Sequence, residues 1–450
     1  MSTATFLLAG ARVIDPGSGE DEVRDVAVLE GRLVEVERLP EVAPRVAAEG
    51  LIVAPGFVDL HAHLREPGDE GSETIASATA AAAHGGFTTI CAMPNTSPAL
   101  DDPALLRELD GRAAGMPARV RWIGTVTRNR GGEELADLDA LAAAGAVAFS
   151  DDGAAVTDAL GRAALERCAA LDLPLIEHAE DAALGAGSVM RAGPTALRLG
   201  LRGWPPEAEL ACVERDLALA EQTGARLHLT HLSTAAALDA VRVARFRGVR
   251  VTCDVTPHHL ALTDAWVAGD RSFSWEEAGE VDDALAYDGR CRVNSPLPAR
   301  DDALALLAGL ADGTVDAIAT DHAPHSAQRK LVPFDEAAPG LIGLETALSL
   351  GLAAVAAGRV PLPVLLAALS SGPARIIGER RGLAVGAVAD LVVFDPAATW
   401  IVAAEGLASR SSNTPVLGRQ LPGVVRLTVA GGRVTWDDGT VFPRSMHAAG

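Results

Sequence analysis

The middle of the chain alternates short apolar runs with Ala- and Leu-rich stretches of helical character. Eight of the runs have the length of buried strands: LIVAPGFVDLHAH, FTTICAMPN, RVRWIGTV, AVAFSDD, PLIEHAE, RLHLTHLS, VRVTCDVTPH and DAIATDHAPH. Strands that alternate with helices favour parallel β–α–β units, and eight such units predict a (β/α)8 barrel, an α/β fold. A doubly wound open sheet is the alternative, but no strand leads into a glycine-rich phosphate loop of the dinucleotide type.

Both ends of the chain carry a different pattern. FLLAGARVID and DVAVLEGRLVEV near the start, and ADLVVFDP and VVRLTVAGGRVTW near the end, indicate short strands separated by turns. We expect the two ends to pair into one small β-sandwich domain. The predicted organisation is a barrel at residues 51–375, with residues 1–50 and 376–450 forming the two parts of the sandwich.

Polar residues follow most of the predicted strands. In DLHAHLREP, the residues His61, His63 and Arg65 occupy alternate positions of an extended segment, so they share one face. Later strands end in Asn95, Asp151, His178, His231 and Asp321. Active sites of (β/α)8 barrels form at the carboxyl ends of the strands. We therefore expect these side chains to converge on one rim of the barrel.

Imidazoles and carboxylates in this number point to a divalent metal such as zinc. The expected ligands are His61, His63, Asp151, His178, His231 and Asp321. One zinc ion rarely needs so many ligands, so we favour two ions that share a bridging carboxylate over one ion. Asp151 is preferred to Asp152 as the bridge because it directly follows the strand AVAFS.

Each of these residues alone has a simpler explanation, since a single strand-end histidine is usually structural and an aspartate after a strand often caps a helix. The metal hypothesis depends on the joint pattern. We predict that His84, His228 and His447 are structural or solvated. His258 and His259, in TPHHL, are expected to support the ligands from behind.

Composition narrows the possible partners. The 450 residues carry a formal charge of −22, which argues against nucleic acid as a ligand. The five cysteines are scattered and form no CxxC pair, which favours a reducing compartment and a cytoplasmic location. The N-terminal stretch does not resemble a signal peptide, and no apolar run is long enough to predict a membrane span.

Taken together, the motifs resemble the amidohydrolase superfamily and, within it, the longer bacterial type of dihydroorotase. The resemblance is carried by DLHAHLREPG, GGFTTICAMPNTSP, FSDDG, EHAE, THLST, TPHHL, RVNSPL and TDHAPH, which span most of the chain. It implies reversible cyclisation of N-carbamoyl-L-aspartate to L-dihydroorotate, a step of pyrimidine biosynthesis.

The resemblance also implies residue roles. His61 and His63 would bind one metal and His178 and His231 the other, with Asp151 between them. Asp321 would touch the first metal and act as the catalytic proton carrier. Arg65 and Asn95 would hold the substrate carboxylate, while Asn294 and His325 would contact the ring or its carboxylate. A homodimer is expected by default, and association with aspartate transcarbamoylase is a further possibility for this family.

Another cyclic amidohydrolase, of the hydantoinase or allantoinase type, is the alternative. Such enzymes usually bridge their metals with a carboxylated lysine, but the chain's only lysine, Lys330, lies after the eighth strand in what we expect to be a mobile loop. Two departures from the dihydroorotase pattern stand out. Ser295 follows Asn294 where proline is usual, and residues 263–290 form a long acidic connection that could be a surface insertion, an oligomer contact or a lid.

Overall fold

In the computed structural model, which describes residues 3–154, 156 and 158–442, the eight predicted strands form one parallel sheet. Along the chain these barrel strands, the first to the eighth, are Phe57–Ala62, Phe87–Ala92, Arg119–Gly124, Ala148–Phe149, Leu175–His178, Leu227–Thr230, Val251–Val255 and Ala317–Ile318. The sheet closes where Ala62 pairs with His322, and the amide N–H of His63 donates to the His322 carbonyl at 2.9 Å. The predicted (β/α)8 barrel is confirmed.

Helices cover the outside of the barrel. The longer ones are Ile75–His84, Pro103–Ala113, Leu138–Ala144, Asp158–Leu171, Glu207–Thr223, Ala235–Phe246, Arg300–Asp312, Ala347–Ala356 and Leu362–Leu369, and the shorter ones are Pro194–Leu199, Pro257–Ala261, Ala327–Lys330 and Ser371–Ile376. Several begin at residues whose side chains accept a backbone N–H of the first turn, as Thr74, Asp102 and Thr234 do. Among the described residues, no helix combines the length and apolar character that crossing a bilayer demands.

The two ends of the chain meet in a second, mostly antiparallel sheet, as predicted. Its strands are Phe6–Asp15, Glu20–Leu29, Arg32–Val34, Arg45–Ala47, Ile52–Pro55, Leu391–Ile401, Gln420–Ala430 and Arg433–Asp437. Strand Ile52–Pro55 lies between the first strand and Leu391–Ile401 and so joins the N-terminal half to the C-terminal half. Apolar side chains from both halves form one buried cluster, which includes Phe6, Leu8, Val393 and Leu427.

The predicted strand LIVAPGFVDLHAH is in fact two strands that belong to different sheets. Residues 52–55 pair in the terminal sheet, and Phe57 begins the barrel. The chain changes sheets at Pro55 and Gly56. A side chain at Gly56 would lie 2.2 Å from the methyl group of Thr88, so this close crossing requires glycine. The terminal sheet therefore extends past residue 50, and the first barrel strand is anchored directly beside it.

A buried carboxylate joins the first barrel strand to the eighth. Asp59 accepts hydrogen bonds from the Thr320 amide at 2.8 Å and from the Thr320 hydroxyl. Burial raises the pKa of Asp59 to about 6, although these hydrogen bonds act in the opposite direction. The contact lies next to His61 and Asp321 in sequence, so the barrel is closed where the polar rim begins.

The long connection at residues 263–290 packs into the body of the protein at its start. Trp266 is fully buried, and Phe273 lies beside it with ring centroids 6.1 Å apart. The guanidinium groups of Arg271 and Arg419 lie 5.1 and 5.7 Å from the centre of the Trp266 ring. Residues 276–285 are exposed. The segment is thus a connection with a buried aromatic anchor and an acidic surface stretch.

Candidate active site

Four histidines and two aspartates meet at the carboxyl end of the barrel strands. Nε2 of His61 lies 3.1 Å from Asp152 and 3.4 Å from Asp321. Nε2 of His63 lies 3.1 Å from Asp321 and 3.8 Å from Asp152. The rings of His61 and His231 are 5.2 Å apart, and those of His178 and His231 are 4.4 Å apart. Residues from the first, fourth, fifth, sixth and eighth strands thus share one buried cluster.

The expectation that Asp151 faces the histidines is wrong, and its neighbour Asp152 takes that place. The carboxylate of Asp151 instead accepts hydrogen bonds from the backbone N–H of Val126 at 2.8 Å and of Thr127 at 3.0 Å, and from the Thr127 hydroxyl. Successive residues of an extended chain point to opposite sides. Asp151 fastens the loop after the third strand, so the side chain of its neighbour Asp152 points to the opposite side, over the barrel.

Three residues of the site hold a left-handed backbone conformation. The φ angles are +58° at Arg65, +39° at His231 and +46° at Asp321. Such conformations cost about 1–3 kcal/mol each in residues other than glycine and persist where the surroundings enforce them. They also interrupt the regular alternation of side chains at a strand end. That interruption lets these three side chains turn towards the centre of the rim.

A chain of hydrogen bonds behind the histidines was not foreseen from the sequence. Thr230 Oγ1 lies 3.0 Å from Nδ1 of His61 and donates to Asp254 at 3.1 Å. Asp254 also accepts the backbone N–H of His231 at 2.6 Å, and Nε2 of His228 lies 2.8 Å from it. This network fixes the ring of His61 with Nε2 towards the cluster. Asp254 follows no motif pattern, since it lies inside a strand.

Charges in the cluster favour a cation at its centre. Burial lowers the pKa of His61, but Asp152 and Asp321 outweigh burial and raise it to about 9. Burial raises the pKa of Asp321, yet the charge of His61 and the hydrogen bond with His63 hold it below its usual range. The pKa of His231 is well below normal because of burial and the neighbouring His178. The carboxylates of Asp152 and Asp321 thus attract a cation, and neutral imidazoles beside them can act as its ligands.

The donor set fits a divalent metal ion. Both ring nitrogens of His231 and Nδ1 of His178 are buried and have no hydrogen-bond partner among the described residues. Two groups of ligand atoms each lie within 4.8 Å of one another: those of His61, His63 and Asp321, and those of His61, Asp152 and His231. Nitrogen and carboxylate ligands in this geometry match the preferences of zinc and related ions.

A cavity of about 230 Å³ opens beside the cluster. Its walls include the predicted contact residues Arg65, Asn95, Asn294 and His325, together with Arg329, which no quoted motif includes. The Nε of Arg65 donates to the Pro324 carbonyl at 3.1 Å, which fixes the plane of the guanidinium at the cavity wall. Asn95 also serves the cluster, because its amide contacts His63 at 2.9 Å and Asp152 at 2.6 Å.

The wall opposite the cluster is held from the C-terminal segment. Asn413 donates to the carbonyls of Ala323 at 3.0 Å and Gly340 at 3.1 Å, and accepts the His325 amide at 3.1 Å. The Nε2 of His325 donates to the Pro339 carbonyl at 2.8 Å. Burial and the nearby Arg65 lower the pKa of His325 to about 3, so its ring is neutral. No local pattern around Asn413 predicts this contact.

The remaining predicted histidines lie outside the cluster. His84 pairs with Glu345, and its ring lies tilted against that of Trp436 with centroids 4.2 Å apart, while His228 lies in the network behind the cluster. The Nε2 of His259 contacts the carbonyl of Ser295 at 2.9 Å, so it supports the Asn294 loop, and the His258 ring lies 4.6 Å from that of His259. His447 lies outside the described residues.

Comparison with known proteins gives close relatives over the whole chain. A family model for dihydro-orotase-like proteins matches residues 50–237. The dihydroorotase of Anaeromyxobacter dehalogenans is 48% identical over 98% of this chain and 99% of its own length. The dihydroorotase of Geobacter metallireducens is 43% identical over 96% of this chain and 99% of its own length.

Solved structures with the same fold are more distant in sequence. An L-hydantoinase from Arthrobacter aurescens superposes with a TM-score of 0.83 at 23% identity, covering 98% of both chains. A dihydropyrimidinase from Brevibacillus agri superposes with a TM-score of 0.80 at 21% identity, covering 98% of this chain and 96% of its own. At these identities the likeness establishes the arrangement of barrel and terminal sheet.

Proposed function

Because this chain belongs to the dihydroorotase family, we propose that it interconverts L-dihydroorotate and N-carbamoyl-L-aspartate in pyrimidine biosynthesis. The observation that carries the proposal is the placement of Arg65 in the same cavity as five of the six ligand-type residues, all except His61. One part of the site can activate water, while the other can bind a carboxylate.

We propose that the metal is zinc and that two ions are bound. His61 and His63 would hold one ion, His178 and His231 the other, and Asp152 would lie between them, in place of the Asp151 expected from the sequence. When bound, the metal supplies Lewis acidity, which polarises an amide carbonyl and lowers the pKa of water to about 7. The six ligand-type side chains exceed the number that a single zinc ion takes, which supports two ions over one.

Asp321 is proposed to carry the proton. In the hydrolytic direction, the water oxygen bonds to the ring carbonyl carbon, and the carbon–nitrogen bond of the ring breaks. Asp321 takes a proton from the attacking water and delivers it to the departing nitrogen, as one group acting first as base and then as acid. Because its pKa is held below the usual range, Asp321 is ionised at the start and able to accept that proton.

Arg65 is proposed to select substrates that carry a carboxylate on the ring. Its planar guanidinium can hold a carboxylate by two parallel hydrogen bonds, which lysine cannot reproduce. Asn95, Asn294 and His325 line the same cavity and would contact the rest of the ring. Hydantoin and allantoin lack such a carboxylate, so the cavity favours dihydroorotate over the substrates of the alternative class.

Steady-state hydrolysis of L-dihydroorotate, hydantoin and allantoin by the same metal-analysed preparation tests the proposal. We expect turnover of dihydroorotate only. In the matched variant Arg65→Lys, KM for dihydroorotate should rise by about 100-fold, since a charge remains but the bidentate contact is lost. Turnover of hydantoin at a rate comparable to dihydroorotate would disprove the assignment.

Assembly and location stay predictions from the sequence. We propose a homodimer in the cytoplasm, with association with aspartate transcarbamoylase as a further possibility. Sedimentation of the purified protein, alone and mixed with that enzyme, measures both contacts directly. A single species with the 46.2 kDa mass of one chain would exclude the dimer.

A further inference from the structure

We infer that Lys330 is a positioning residue for the substrate cavity, in that its ammonium group holds together the two backbone segments that form the wall opposite the metal ligands. The inference rests on the proposed function, because it concerns how that cavity receives dihydroorotate. It goes beyond the motifs quoted above, none of which includes this residue.

Lys330 is buried, with 3% of its surface exposed, and is not part of the mobile loop that the sequence suggested. Its Nζ donates to three backbone carbonyls: Ala338 at 2.7 Å, Gly340 at 2.8 Å and Arg292 at 3.2 Å. Burial lowers the pKa of Lys330 to about 7, because loss of hydration disfavours the charged amine. A buried cation is retained only where its hydrogen bonds compensate for lost hydration.

The three carbonyls belong to segments that reach the cavity. Arg292 lies two residues before Asn294, and the amide of Gly340 donates to the Arg292 carbonyl at 2.9 Å. Gly340 lines the cavity together with Pro339, whose carbonyl accepts a hydrogen bond from Nε2 of His325. Lys330 thus fastens the Asn294 segment to the 338–340 segment.

The wall has little space to adjust. At Gly340 the φ angle is +126°, and a side chain would lie 2.6 Å from Cβ of Ala323 and 3.1 Å from Nε2 of His325. The Gly340 carbonyl accepts hydrogen bonds from both Lys330 and Asn413. A shift of this backbone would therefore displace His325 as well as the cavity surface.

The choice of residue type agrees with this role. The chain has 38 Lys and Arg residues, and every one except Lys330 is arginine. A lysine ammonium offers three N–H groups from one small tetrahedral centre, which suits three converging carbonyls, whereas arginine spreads its donors over a planar fork. Lysine here is thus explained by geometry in a chain that otherwise uses arginine.

The test compares Lys330→Met with Arg245→Met. Arg245 also donates to backbone carbonyls, those of Val251 and Thr314, but at the opposite end of the barrel. We expect Lys330→Met to raise KM for dihydroorotate at least about tenfold, with kcat changed less than about threefold and metal content unchanged. Arg245→Met should leave KM within about twofold. A folded Lys330→Met protein with wild-type KM, or with its loss confined to kcat, would overturn the inference.

A second variant covers the case in which Lys330→Met does not fold. Lys330 also borders a separate cavity of about 480 Å³, which gives a small amine access to the space left by Lys330→Ala. Ethylammonium should lower the raised KM of this variant, whereas tetraethylammonium, which has no N–H group, should not. Equal effects of the two ions, or none, would contradict the inference.

Hydrogen exchange separates this inference from the proposed function. The amides of Ala338 and Gly340 donate to the carbonyls of Arg329 and Arg292, and they should exchange faster in Lys330→Met than in wild type and Arg245→Met. If wild type does not hydrolyse dihydroorotate, the proposed function fails, and the exchange rates still report whether Lys330 holds the wall. Unchanged exchange would show that it does not.

Discussion

The two sides of the cavity are built in different ways. The ligand side consists of side chains at the ends of barrel strands, and its backing, such as the contact of Thr230 with Asp254, comes from those same strands. The opposite wall consists of loop backbone, held by Lys330 from the nearby helix Ala327–Lys330 and by Asn413 from the C-terminal segment. The first side suits chemistry that needs fixed distances, and the second suits recognition of a ring.

The largest expected effect is on the ligand side, at Asp321. In Asp321→Asn, turnover of dihydroorotate should fall by about 10³-fold or more, because the variant cannot accept a proton, while most of the metal is kept. Kinetics together with metal analysis of the same sample measure both quantities. Full activity in this variant would refute the proton-carrying role.

Asp152 and Asp151 form a matched pair that differs in position by one residue. Asp152→Ala should lower the bound metal per chain and abolish activity, because it removes a proposed shared ligand. Asp151→Ala should keep the metal but destabilise the protein by about 1–3 kcal/mol, since buried N–H groups of residues 126 and 127 lose their acceptor. Metal loss in Asp151→Ala but not in Asp152→Ala would show that Asp151, and not Asp152, is the shared ligand.

A pH experiment probes how the ligand side is supported. Glu209 is buried and accepts the Ser233 amide at 2.7 Å and the Thr234 hydroxyl, just after His231. Burial raises its pKa to about 7 from the ordinary glutamate value of 4.5. The folded state therefore binds more protons than the unfolded state between these values, and this group's contribution to stability is lost as pH rises through that window.

Glu209→Gln should remove this dependence. The free energy of unfolding of wild type relative to the variant should fall by up to about 3 kcal/mol between pH 4.5 and 7. Urea unfolding of both proteins across this range provides the measurement. Parallel curves for the two proteins would show that Glu209 does not titrate there.

The smallest expected effect is on the loop wall. Asn413→Ala removes three hydrogen bonds around His325 and Gly340 and should raise KM several-fold, with kcat and metal content little changed. The adjacent Ser412→Ala is the control, with KM expected to match wild type. If Asn413→Ala lost metal instead, the two sides would not be independent.

The difference between the ligand side, built at strand ends, and the loop wall explains what could be predicted from the sequence. The barrel, the terminal sheet and the histidine positions follow from strand patterns and from residue types at strand ends. The side that Asp151 faces was predicted wrongly because it depends on contacts with Val126 and Thr127, which its own strand does not reveal. Asn413 acts on backbone atoms 73 and 90 positions away, and Lys330 acts on carbonyls 8, 10 and 38 positions away; the neighbours of neither residue carry a pattern that indicates these contacts.

The hydrogen bonds between Asp59 and Thr320 also limit how early in translation the barrel can close. The two residues are 261 positions apart, so a ribosome that adds about 5–20 residues per second makes Thr320 roughly 13–52 s after Asp59. Until Asp321 is made, His61 and His63 lack this carboxylate beside them. A nascent chain that stalls before residue 320 would hold its first histidines without the last carboxylate, so the complete metal site is a late product of translation.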